Sequence, residues 1–289
     1  MKIAVVSHGD ETIVVADCGA YWINVTRADL AYSGGDAPLS SVSDLVESGL
    51  LTAAYIEELK VFTLAKDEFK VSAPEAFLQP LYPGKIVAVG RNYKAHVEEF
   101  DNKMPTEPTL FCKRPDACVG PDEAIEVQDW YGRVDHEGEL AVVIGKRAKD
   151  IDAAKVQDYI AGYTLLNDVT ARELQKADIA QGNPWFRAKN LDTFCPIGPV
   201  VVLAEDLGWP LEVDIAVEVN GETRQSSNTR KFIFSLGEQL AAITRFMTLE
   251  PGDVVATGTP EGVSPLHDGD VVSVMCPEIG VLSNPVKQA

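Results

Sequence analysis

Val134-Asp-His-Glu-Gly-Glu-Leu-Ala-Val-Val-Ile-Gly145 decides how this chain is read. Leu140 to Ile144 is a short apolar, β-branched run that stops at Gly145, which predicts a buried strand. Glu137 and Glu139 sit two apart at its entrance, so alternation along a strand points both carboxylates the same way. A second apolar run, Tyr163 to Leu166, leads into Asn167-Asp-Val-Thr-Ala-Arg-Glu-Leu-Gln175, and Asp168 therefore also stands where a strand leaves the core. Three carboxylates buried without partners would be strongly destabilising. Either a hard divalent cation such as Mg²⁺ or Mn²⁺ compensates them, or they lie on a solvated strand edge with Lys and Arg partners.

Outward from this segment the chain is β-rich. Short strands are predicted at Ile86 to Val89, Thr109 to Cys112, Ala124 to Val127, Pro199 to Leu203, Val213 to Val219, Val254 to Thr257 and Val271 to Met275, and Asn220-Gly221 marks a hairpin. Ser235 to Thr248 places Leu236, Leu240, Ile243 and Met247 on one helical face behind Ser235 as cap. Strands dominate without βαβ alternation, which gives an α+β class and excludes a doubly wound parallel sheet. Residues 1–75, with strands at Lys2 to Val6 and Thr12 to Ala16 and helical pattern over Leu45 to Ala65, read as a small N-terminal α/β domain. Residues 76–84 fall in a proline-rich stretch and read as a linker, leaving 85–289 as the larger domain.

A net charge of −19 disfavours nucleic acid or an anionic membrane as partner. Any anionic substrate then needs a locally positive pocket. The polar residues that follow Met1-Lys-Ile-Ala-Val-Val and the lack of a long apolar run lead to the expectation of a cytoplasmic protein. The cysteines are five and form no C-x-x-C pair, which disfavours a disulfide framework and a zinc site, and Cys195 reads as core packing.

Five ordered motifs carry a resemblance: Gly90-Arg-Asn-Tyr-Lys-Ala-His-Val-Glu-Glu99, His136-Glu-Gly-Glu-Leu140, Asn167 to Gln175, Lys189-Asn-Leu-Asp-Thr-Phe-Cys-Pro-Ile-Gly-Pro199 and Thr257-Gly-Thr-Pro-Glu-Gly-Val263. From about Pro83 onward the chain resembles the fumarylacetoacetate hydrolase superfamily, on the acylpyruvate hydrolase and 2-hydroxymuconate isomerase side. The resemblance implies a mixed β-sandwich roll, a homodimer, and Glu137, Glu139 and Asp168 as ligands of Mg²⁺ or Mn²⁺, with Ca²⁺ as a further oxygen-preferring ion. It also implies that His96 and Glu99 ride on a mobile lid hinged near Gly90 and Asn92, and that Lys189 lies near a metal-bound substrate. There Asn190 and Leu191 depart from the small and aromatic residues more usual in the family.

Read from the residues alone, His96 and Glu99 lie three apart, a spacing that lets a carboxylate raise imidazole basicity on one helical turn, or merely forms a surface ion pair. Asp168, Arg172 and Gln175 share a face if Val169 to Lys176 is helical; otherwise Asp168 is an ordinary N-cap. Three carboxylates and one divalent ion sum to about −1, which Lys189 would neutralise. The resemblance assigns Thr259 to the substrate carboxylate, against a plain turn before Gly262. Arg91 and Tyr93 flank the lid as candidates for an anionic tail, and His136 reads as packing. The expected chemistry is hydrolysis of a C–C bond in an acylpyruvate-like 2,4-dioxo acid, as in aromatic catabolism, through a metal-stabilised enolate, with Lys189 and Gln175 meeting the oxyanion. Oxaloacetate decarboxylation and 2-hydroxymuconate-type isomerisation use the same logic. A non-catalytic metal-binding scaffold is the reading from a different class.

Overall fold

The strand predicted at Leu140 to Ile144 is Gly138–Ile144, buried along its whole length, and it lies in the middle of an eleven-stranded sheet. The computed structural model describes residues 1–289. Gly138–Ile144 pairs antiparallel with Ile160–Asn167 on one side and Val254–Ala256 on the other. Its two faces serve different layers. Leu140, Val142 and Ile144 belong to a core shared with Ile215, Val217, Val272, Val274 and Leu282 of a second, five-stranded sheet. Ala141 and Val143 face a second core with Val42, Leu45, Ile56 and Leu59. Burial on both faces is why the run is continuously apolar instead of alternating.

Gly138 is required by this stacking, because a Cβ there would lie 2.3 Å from Val217 Cγ2 of the facing sheet. The bend that precedes it separates the short strand Val134–Asp135 from Gly138–Ile144 and is braced across the site. Glu137 N–H donates to Asn167 Oδ1 at 2.9 Å, and Asp168 N–H donates to the Glu137 carbonyl at 2.8 Å. The hairpin at Asn220-Gly221 joins Asp214–Val219 to Glu222–Asn228, and both turn residues have the positive φ a tight primed turn needs, 54° and 79°. Ser235 caps Leu236–Phe246 as expected, in a capping box with Glu238.

Residues 1–75 do not keep a core of their own. Lys2–His8 pairs antiparallel with Cys195–Leu203, so the N-terminal strands extend the large sheet, and the N-terminal helices cover its second face. The helical segments predicted over Leu45 to Ala65 are two helices, Val42–Glu47 and Ala53–Thr63, separated where Gly49 turns at φ 72° and Thr52 caps the second. No helix is long and apolar enough to cross a membrane.

Candidate active site

Glu137, Glu139 and Asp168 converge at the ends of two neighbouring strands. One carboxylate oxygen from each lies within 4.8 Å of the others, and all three residues are buried. The solvated strand edge is not found: the acids are buried, lie close enough together to share one ion, and two of them carry buried cationic partners. Lys189 Nζ donates to Glu137 Oε2 at 2.7 Å and to Asp168 Oδ2. Lys113 Nζ donates to Asp168 Oδ1 at 2.6 Å and to the Lys189 carbonyl at 2.6 Å. Arg172 bridges Glu137 Oε1 and Asp135 Oδ2, and its remaining terminal nitrogen donates to Gln175 Oε1 at 2.7 Å.

The electrostatics separate the three acids. Burial alone would raise the Glu137 carboxyl, but Lys189 first and Arg172 next hold it well below the usual carboxylate range. Glu139 has no cation partner; it accepts one hydrogen bond, from Gly258 N–H at 2.7 Å. Burial first, and the Asp168 charge next, push its carboxyl well above the usual range. An oxygen-only donor set with one buried acid that lacks a counter-charge fits a divalent cation bound by Glu137, Glu139 and Asp168. Four buried carboxylates, counting Asp135, face three buried cations, so with all four ionised the cluster is negative by one and would become positive by one with such an ion. The sequence-based sum counted Lys189 only.

These acids floor a cavity of about 190 Å³ that is also lined by Arg91, His96, Arg172, Gln175, Lys189 and Thr259. His96 Nδ1 stands 3.3 Å from Glu99 Oε2 on the helix Lys94–Glu99, and Gly262 N–H donates to Glu99 at 3.1 Å, which ties this helix to the turn after Thr259. Phe100 completes the closure, with its ring 5.1 Å from His96 and 4.9 Å from the Arg172 guanidinium carbon. Gly258, at φ 99°, lets this turn approach, since a Cβ would sit 2.7 Å from Asn92 Cβ.

Several expectations are corrected. The helix after Asp168 begins only at Arg172, because Thr170–Ala171 is pinned as a strand against Val134–Asp135. Arg172 and Gln175 share a face of that helix, while Asp168 reaches the same cavity from the bend before it. Asn92 is no hinge: it is fully buried, donates to the Thr257 carbonyl at 2.8 Å and accepts from Phe234 N–H at 2.9 Å. Tyr93 does not line the cavity; it packs edge-on against Phe232 at 5.1 Å. Thr259 lines it, yet its hydroxyl donates to the Gly138 carbonyl at 3.0 Å and accepts from Gln225 Nε2 at 2.9 Å. His136 lies outside the cavity, its ring 3.2 Å from Gln225 Oε1 and 2.9 Å from Ser264 Oγ, and burial lowers its pKa.

Sequence reasoning missed Lys113, Asp135 and Gln225. Asp135 carries a visible signal, because Asp135, Glu137 and Glu139 continue one alternating series. Lys113 ends the apolar run Thr109–Lys113, where a charge facing a core needs a partner. Gln225 lies in a polar hairpin strand and had no such signal.

Comparison with known proteins places this geometry. Residues 85–287 match the family model described as fumarylacetoacetate (FAA) hydrolase C-terminal. The mitochondrial oxaloacetate tautomerase of Rattus norvegicus is 40% identical over 218 residues, 73% of this chain and 69% of that protein. The crystal structure of 5-carboxymethyl-2-hydroxymuconate delta-isomerase from Mycobacterium smegmatis superposes with a TM-score of 0.75 at 33% identity, covering 100% of both chains. Fumarylpyruvate hydrolase from Pseudomonas aeruginosa, in complex with Mn²⁺ and pyruvate, superposes with a TM-score of 0.69 at 33% identity, covering 76% of this chain and 94% of that one.

Proposed function

The chain belongs to the fumarylacetoacetate hydrolase family, and we propose that it hydrolyses a C–C bond in an acylpyruvate-like 2,4-dioxo acid with the help of Mg²⁺ or Mn²⁺. The observation that carries this reading is the His96–Glu99 pair, 3.3 Å apart, at a cavity floored by three clustered carboxylates. A divalent cation held by Glu137, Glu139 and Asp168 supplies Lewis-acid stabilisation of negative charge on the substrate's 2-oxo oxygen. The Mn²⁺ and pyruvate bound by the Pseudomonas aeruginosa relative support that choice of ion and of product class.

The residues divide the remaining work. Glu99 engages Nδ1 of His96, which leaves Nε2 to take a proton from water. The hydroxide adds to the distal carbonyl carbon, the C–C bond breaks, and its electron pair remains on the pyruvyl fragment as an enolate. The proton held by His96 returns to that fragment, giving a carboxylic acid and pyruvate. Gln175 has its amide oxygen occupied by Arg172, so its NH₂ is the group that turns to the developing oxyanion. Lys189 stays between Glu137 and Asp168 and limits repulsion between them.

Keto–enol interconversion of oxaloacetate is the second reading, favoured by the relationship to the rat tautomerase. It needs proton transfer without attack by water. Acetylpyruvate and oxaloacetate, each incubated with Mn²⁺ and the enzyme, distinguish the two. Pyruvate release from acetylpyruvate is expected. Enol–keto exchange of oxaloacetate with no cleavage of acetylpyruvate would establish the second reading instead, and inertness towards both would overturn each.

A further inference from the structure

Two of the five free cysteines stand opposite each other. Cys118 and Cys195 are paired residues in the short parallel ladder between Cys118–Val119 and Cys195–Leu203. Paired residues of neighbouring strands point to the same face with their backbones about 4.8 Å apart, inside the Cα window of a disulfide. Both side chains meet one apolar layer, Cys195 within it and Cys118 at its margin. Burial raises the Cys195 thiol well above its usual range, and contact with the Cys118 thiol raises it further. The other three cysteines have no such neighbour: Cys112 lies opposite Val87, Cys276 opposite Gly280, and Cys18 just past the strand Glu11–Asp17. The pair also has a place beside the site. Cys118 lies shortly after Lys113 in the chain and Cys195 shortly after Lys189, the two buried lysines that hold Asp168. Those two segments already touch, through Lys113 Nζ on the Lys189 carbonyl and Asn190 Nδ2 on the Cys112 carbonyl at 3.1 Å.

From this we infer that Cys118 and Cys195 form an oxidative modification site, at which hydrogen peroxide makes a disulfide that clamps the two lysine-bearing segments together. Cys195 is fully buried and Cys118 is partly exposed, so Cys118 is the thiol that meets the oxidant. Its thiolate attacks one peroxide oxygen and the O–O bond breaks; the departing hydroxide combines with the proton the thiol gave up and leaves as water. Cys118 is then a sulfenic acid. The Cys195 sulfur attacks the Cys118 sulfur, the S–O bond breaks, and the departing hydroxide takes the Cys195 proton. Two thiols and one peroxide thus give one disulfide and two waters, the sulfurs oxidised and the peroxide reduced. Cys118–Val119 is only two residues long and is held by this ladder alone, so it can shift to close the bond. The crosslink restricts the unfolded chain across the segment that carries Glu137, Glu139 and Asp168, and oxidation therefore stabilises the fold around the site.

The test treats the reduced full-length protein, supplied with Mg²⁺, with a small excess of hydrogen peroxide. The intact mass should fall by about 2 Da, the two hydrogens lost, and non-reducing proteolysis should release one fragment that joins Cys118 to Cys195. Tm should rise by about 5 °C, and dithiothreitol should reverse the mass change, the joined fragment and the Tm rise together. Cys118→Ser, which changes the partly exposed member, should keep the Tm of the reduced parent and lose both the mass change and the Tm rise. Cys112→Ser, which removes the exposed thiol on the neighbouring strand, should keep both. Peroxide that carries Cys118 to a sulfinic acid with no joined fragment, or that joins Cys112 instead, would overturn the site. A joined Cys118–Cys195 fragment with no change in Tm would overturn the clamp.

Discussion

Lys113 and Asp168, 55 residues apart in the chain, meet in the buried site at 2.6 Å. The same ammonium donates to the Lys189 carbonyl at 2.6 Å, so one side chain fixes both an acid of the candidate metal site and the backbone of the second lysine. Replacing it leaves Asp168 with Lys189 as its remaining cation. Lys113→Met should therefore destabilise the metal-free protein by about 3 kcal/mol, the scale for breaking a buried pair, and Mn²⁺ should recover part of that loss. Urea unfolding with and without Mn²⁺ measures both quantities. A loss below about 0.5 kcal/mol would show that the pair is not structural.

Glu139 behaves differently from its neighbours because no cation depends on it. Glu139→Gln should abolish the stabilisation given by Mn²⁺ and leave the metal-free fold at least as stable as the parent, since the substitution removes a buried acid that lacks a counter-charge. Glu137→Gln should destabilise the metal-free fold instead, by stranding Arg172 and Lys189. Parallel unfolding curves for the three proteins decide this. A Glu139→Gln variant that binds Mn²⁺ like the parent would remove Glu139 from the site.

The raised Glu139 carboxyl also gives the metal effect a pH dependence. Its folded pKa exceeds its unfolded one, so between the two the folded state holds a proton that the unfolded state has lost. Metal-free stability from this group is present below the unfolded value and falls as pH rises through the folded one. A divalent ion needs the carboxylate and cancels that loss. The rise in Tm on adding Mn²⁺ should consequently be larger near pH 8 than near pH 6. Equal increments at the two pH values would contradict the assignment. Glu137, with its depressed carboxyl, acts in the opposite sense: its stabilisation is present above the unfolded value and is lost as pH falls through the folded one.

His96→Ala should lower C–C hydrolysis by roughly two or more orders of magnitude, as for a missing general base, while oxalate still binds the Mn²⁺-loaded protein. Oxalate should also protect the irregular segment Asp101 to Pro108 from proteolysis, because the helix that precedes it closes over the cavity. Hydrolysis within a few-fold of the parent would move the base role to another group. Equal cleavage with and without oxalate would separate the segment from ligand binding.

The strands were legible wherever both faces are buried, because continuous β-branched runs such as Leu140 to Ile144 leave no other reading. The last strand, Gly280–Gln288, was not recognised, since Asn284 and Pro285 interrupt its apolar alternation. In the site, the spacing of the three acids and of His96 with Glu99 was visible, but only the family resemblance chose the functional reading over a solvated edge and a surface ion pair. Lys113 and Gln225 were not, because their roles come from pairings across the fold. Gln225 alone joins the hairpin to Gly138 N–H at 3.1 Å and to Thr259 at 2.9 Å, and no local pattern encodes that. Tyr93 shows the converse: its place in a matched motif suggested the substrate, and its ring serves the core.

The pairing of Lys2–His8 with Cys195–Leu203 sets the order in which the molecule can be completed. Lys2–His8 pairs locally with Glu11–Asp17, but its other edge must wait for a partner encoded two thirds of the way along the chain, a long-range closure of the kind that slows folding. Until then each of the two strands keeps one edge with unpaired backbone and apolar side chains, the combination that invites aggregation. A chain cut within the stretch before Pro83 would keep every acid of the site yet carry Cys195–Leu203 as a bare, fully apolar edge. The N-terminal residues, remote from the chemistry, thus act as an edge guard for the sheet that holds it.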